Sequence, residues 1–83
     1  MAFGNVGIRT AGEITIDKNA GDDSVTEINT LVGIANTSTL SDEQKKFLQA
    51  NVEHLEIGVA RTDWGGTSLT AWNTAITDGK AKL

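Results

Sequence analysis

The sequence predicts a small, mainly α protein: a three-helix domain over 21–83 preceded by an extended or β-hairpin N-terminal arm over 1–20. Three observations carry that expectation. After residue 20, apolar residues recur at helical spacing in three separate stretches. Two of those stretches open with Ser followed three places later by Glu or Gln, the pattern of a capping box. Before residue 20 the apolar residues alternate at a spacing of two, as they do on one face of a strand.

The arm is read from Val6 and Ile8, then Ile14 and Ile16, with Gly4, Gly7 and Gly12 between and around them. Thr10-Ala11-Gly12 is expected to close a short hairpin. A lone two-stranded hairpin is marginal in water, so this one must lie on another surface. Its ladder groups and apolar side suit addition to the edge of a partner's sheet.

The first helix is expected to begin near Ser24, where Ser24-Val25-Thr26-Glu27 fits a capping box and Asp22 and Asp23 favour the positive end of the helix dipole. Val25, Ile28, Leu31, Val32 and Ala35 supply its apolar stripe, and Asn36-Thr37-Ser38-Thr39 reads as the following loop. The second helix opens at Ser41-Asp42-Glu43-Gln44, with Leu48, Val52, Leu55 and Val59 in one stripe and Phe47 beside it. At about twenty residues it is expected to be the longest element, roughly 30 Å. The third helix follows Gly65-Gly66. Thr67 or Ser68 is its expected cap, Leu69, Trp72 and Ile76 its stripe, and Gly79 its stop.

Trp72, on a stripe, is expected in the core. Trp64 lies in the loop, with two readings open: it folds back over the end of the second helix, or it anchors a partner, as tryptophan does at interfaces.

Size and charge narrow the function. Leu, Ile, Val and Phe make up 20 of 83 residues, just above the roughly 20% below which chains stay disordered. So small a domain buries only around 60–65% of its unfolded surface and often needs a staple. With no cysteine, neither a disulfide nor a thiolate cluster supplies one, which points to oligomers or a partner. The net charge of −4 and the scattered bases argue against nucleic acid. No apolar run reaches the ~18–20 residues of a membrane span, and the first residues do not follow a signal-peptide pattern, so synthesis in the cytoplasm is expected.

The candidate chemical motifs are weak. Asp17 to Asp23 resembles a calcium loop in composition, but Gly21 falls one place early and Ile28 stands where the bidentate glutamate belongs. An acidic turn capping the next helix is the expected reading. His54, the one histidine, sits opposite the second stripe and is expected on the surface. One histidine without cysteine is a poor start for zinc, and no spacing compels an acid–base pair, so neither a metal, a cofactor nor an enzymatic activity is expected. Gly65-Gly66 after an amphipathic helix is similar to the cleavage end of a double-glycine leader peptide, but Asp63 breaks the apolar pattern such leaders carry.

The whole chain resembles in style the small accessory virion proteins of tailed bacteriophages: short, acidic, free of cysteine, rich in Ala, Thr, Gly and Asn. The resemblance implies a non-enzymatic structural protein that decorates or cements a capsid, bound in many copies to the major capsid protein or another virion protein, with no membrane or nucleic-acid partner. It implies a place in the virion after synthesis in the host cytoplasm. The contact residues expected from the arm and loop are Phe3, Val6, Ile8, Ile14, Ile16 and Trp64. The rival reading is a small cytosolic helical adaptor, with Phe47, Leu48, Val52 and Leu55 forming a dimer groove.

Overall fold

A computed structural model describes residues 9–83. These form three helices, α1 (Ala11–Ala35), α2 (Asp42–Val59) and α3 (Thr70–Lys80), with no strand among the described residues. The expected three-helix, mainly α class holds. The strand-like second half of the expected arm does not, because Ile14 and Ile16 lie in the first turns of α1.

The start of α1 has a local cause. Thr10 is its N-cap: Glu13 N–H donates to Thr10 Oγ1 at 3.2 Å, and Thr10 N–H donates to Glu13 Oε1 at 3.2 Å. This capping box opens fourteen residues ahead of the one expected at Ser24 and takes the place of the hairpin turn. Ser24 is buried inside the helix instead, and Asp17 to Asp23 is helix rather than an acidic turn. The inward stripe of α1 runs Ile14, Asp17, Gly21, Ser24, Ile28, Leu31, Ala35, alternating steps of three and four. After Ile14 its next three members are polar or tiny, so apolar periodicity alone does not show it. At 25 residues against 18 for α2, α1 is the longest element.

The second helix begins as expected. Ser41 Oγ accepts from Gln44 N–H at 3.1 Å, and Gln44 Oε1 accepts from Ser41 N–H at 2.8 Å. Leu48, Val52 and Leu55 are buried, and Val59 partly so. The third helix differs at both ends. Leu69 is its N-cap residue with no side-chain cap, and Ser68 Oγ only grazes Thr70 N–H at 3.4 Å. Gly79 does not stop it. It is buried one residue before the last turn ends, where an added Cβ would stand 2.7 Å from Val52 Cγ2. Glycine is there to let α3 approach α2, and Lys80 beyond it pairs with Glu56 at 2.7 Å.

The helices run up, down and up. Gly21 faces Trp72 and Ile28 faces Gly79, seven residues further along both helices, so α1 and α3 are parallel. Ser24 meets His54, while Arg9 beside α1's start meets Asp63 beyond α2's end, so α1 and α2 are antiparallel. The core between them is Ile28, Leu31, Leu40, Leu48, Val52, Leu55, Trp64, Trp72 and Ala75. Trp72 is the largest of its wholly buried members. A buried tryptophan covers roughly 150–250 Å², about 4–6 kcal/mol of gross hydrophobic gain.

Candidate functional site

The residues expected to make partner contacts do not form one patch. Phe3, Val6 and Ile8 lie outside the described residues. Ile14 is half-buried against the core. Ile16, two places on, stands on the outer face of α1 and is 68% exposed. Trp64 takes the first of its two readings: it folds back, 4% exposed, and its Nε1–H donates to the Gly58 carbonyl at 2.8 Å. Gly65, with φ +64°, supplies the left-handed backbone of the turn that returns the chain toward α3.

Trp64 is the centre of the densest group of polar contacts. Its ring meets Trp72 edge to face, with centroids 5.1 Å apart. The Arg9 guanidinium lies 4.2 Å above the Trp64 ring. Arg9 also holds two carboxylates: Nη1 is 2.6 Å from Asp17 Oδ2, and Nη2 is 2.8 Å from Asp63 Oδ1. Arg61 closes on Asp63 from the other side at 3.0 Å. Burial disfavours the Arg9 charge, but the two carboxylates outweigh it and hold the guanidinium pKa above its ordinary value. The cluster fastens the start of α1 to the loop after α2. That Arg9, Asp17 and Asp63 meet was not legible in the sequence, because they are 8 and 46 residues apart in the chain.

Trp72 is held by charge as well as packing. Its Nε1–H donates to Asp22 Oδ1 at 3.0 Å, and Lys18 Nζ meets the same oxygen at 2.6 Å, one helical turn back. Desolvation pushes the Asp22 carboxyl upward, yet the Lys18 and Trp72 hydrogen bonds prevail and hold it below the usual carboxylate range. The ring lies against Gly21, where an added Cβ would collide with Trp72 Cζ2.

His54 is not on the surface as expected. It is 8% exposed, and its Nδ1 shares a 2.9 Å hydrogen bond with Ser24 Oγ. Burial lowers its pKa, with Asp17 pulling the other way, so the ring is neutral at pH 7. The distance matches that of a nucleophile and its base. Ser24, however, is 2% exposed in the contact between two helices, and the pair's work there is to join α1 to α2. Had α1 been read from Thr10, the stripe would have put Ser24 inside and signalled its need for a polar partner.

These contacts hold Arg9, Asp17, Ser24, His54 and Asp63 against one another. Among the many charged side chains on the surface stand four large apolar ones, Ile16, Phe47, Ile57 and Leu83, between 49% and 68% exposed. No helix among the described residues is long and apolar enough to cross a membrane. No protein-family model, curated protein or solved structure matches the chain.

Proposed function

We propose that the protein is a non-enzymatic structural component of a tailed-bacteriophage virion, of the capsid decoration or cement type. In this reading many copies sit on the major capsid protein or a neighbouring virion protein. The observation that carries it is the division of labour in the chain. The Ser24–His54 pair and the Arg9–Asp17 pair bond in the interior, while Ile16 presents a large apolar side chain to solvent at 68% exposure. Ile16 stands eight places after Ile8 in the chain, and Phe3, Val6, Ile8 and Ile16 make the shell contact in this reading.

A single such contact is weak, since an isoleucine fully buried contributes about 1.5–3 kcal/mol. Symmetry-related sites on a shell repeat the contact once for every bound copy. The chain needs no deep pocket for this task. Edge-strand addition by residues 13–16 is not part of the mechanism, because those residues are helical.

The adaptor reading loses its groove. Leu48, Val52 and Leu55 fill the protein's own core, leaving only Phe47 of the four exposed.

The test is co-sedimentation of the purified protein with assembled capsid shells, comparing wild type with Ile16→Glu. The proposal expects wild type in the pellet and the variant in the supernatant, with equal helical circular dichroism. Wild type wholly in the supernatant, or a discrete dimer by light scattering with no affinity for shells, overturns it.

A further inference from the structure

A groove of about 490 Å³ runs between α1 and α2, lined by Asp23, Glu27, Phe47, Asn51 and the Ser24–His54 pair. Its volume lies in the roughly 300–1,000 Å³ range of ligand sites. Two features mark its lining. Of the acids that are in no ion pair among the described residues (Glu13, Asp23, Glu27, Asp42, Glu43, Glu53 and Asp78), Asp23 and Glu27 are the two that line the groove. They are four places apart on one helix face, where like charges repel. Likewise Trp64 and Trp72 each have a cation over the ring, Arg9 and Lys18, whereas Phe47 has none among the described residues and is 49% exposed.

We propose that this groove docks a polypeptide segment of another protein that carries lysine or arginine next to an apolar side chain. The cation sits between the Asp23 and Glu27 carboxylates and the face of Phe47, where opposite charge and the ring quadrupole both favour it. The apolar neighbour packs on Phe47 and Ala50. The floor adds no opposing charge, because burial keeps His54 neutral. Length selects a peptide over a small amine. From Phe47 to His54 the α2 wall spans two turns, about 10 Å, which matches three or four residues of extended chain. Ile16 lies on the same face of α1, two turns before Asp23, but does not line the groove, so this surface adjoins the shell contact assigned to Ile16 without sharing its residues. The inference does not depend on that reading.

The experiment is a titration of the full chain, followed by amide chemical shifts, with the blocked peptide acetyl-KLKL-amide and its acidic counterpart acetyl-ELEL-amide. The basic peptide is expected to shift the amides of Asp23, Glu27, Ala50 and Asn51 saturably, and the acidic one to leave them unmoved. Asp23→Asn with Glu27→Gln weakens binding about fivefold. Phe47→Ala weakens it about tenfold. All three changed residues are exposed, so the fold is kept. No saturable shift, shifts elsewhere on the chain, or an equal response to the acidic peptide overturns the proposal. So do shifts of the same amides that follow protein concentration without peptide, which would make a second copy the occupant.

Discussion

Gly21→Ala is the sharpest perturbation of this fold. In most helices the change is favourable, because alanine exceeds glycine by about 1 kcal/mol in helix propensity. Here the new methyl would lie 1.9, 2.4 and 2.5 Å from three atoms of the Trp72 ring. Carbon atoms in contact sit about 3.5–4 Å apart, so the ring must retreat by about 1.5 Å or more. Overpacking of that kind costs about 1–3 kcal/mol. The retreat also stretches the 3.0 Å bond from Trp72 to Asp22, about 1.5 kcal/mol for a bond to a charged acceptor. It disturbs the edge contact with Trp64 as well, about 0.5–1 kcal/mol. Setting the propensity gain against these leaves a net loss of about 3 kcal/mol. For a domain of this size that lowers Tm by roughly 12–24 °C. Gly33→Ala is the internal control: it lies in the same helix with nothing within 4 Å of its added Cβ, and should gain about 0.5–1 kcal/mol. The assay is urea and thermal unfolding of both variants by circular dichroism. A Gly21→Ala protein as stable as wild type would refute the packing of Trp72 on α1.

In a Trp72→Phe variant the remaining indole, Trp64, should emit in the blue and resist iodide quenching; red-shifted, freely quenched emission would place it outside the core. Gly65→Ala forces an L side chain into the left-handed region and should cost about 1–2 kcal/mol, measured by urea unfolding. The His54 pKa is lowered by burial from its ordinary 6.5, so the unfolded chain takes up the proton first as pH falls. The stability from neutral His54 is therefore complete above pH 6.5 and drains away as pH drops through and below it, by up to about 1.4 kcal/mol per unit. A His54→Gln variant should flatten that slope as pH falls below 6.5, and an unchanged slope would exclude burial of the ring.

What the sequence disclosed, and what it hid, follows from where each partner lies. The second helix was legible because its cap and stripe are both local: Ser41 with Gln44, and Leu48, Val52 and Leu55 at regular steps. The first half of α1 was not, because its inward positions are Asp17, Gly21 and Ser24. Each is acceptable inside only beside a particular distant residue: Arg9 for Asp17, the Trp72 ring for Gly21, His54 for Ser24. Periodicity counts apolar residues and passes over such positions. Ile14 and Ile16 then looked like one strand face, although in the helix one packs inward and the other points out. Gly79 misled for a related reason, since a glycine near a helix end reads as a stop unless the neighbouring helix is known to press on it. Of the expected contact residues, only Ile16 and Trp64 have clear-cut places, one outside and one inside.

The account rests on α1 being one continuous helix from Ala11, packed on α2 and α3 within a single chain. Amide hydrogen exchange on the dilute, isolated protein tests it directly, residue by residue over 14–22 against 48–55. The account predicts protection in the two segments within about tenfold of each other, as expected for one cooperative unit. Exchange of residues 14–22 at unprotected rates while α2 stays protected would contradict it.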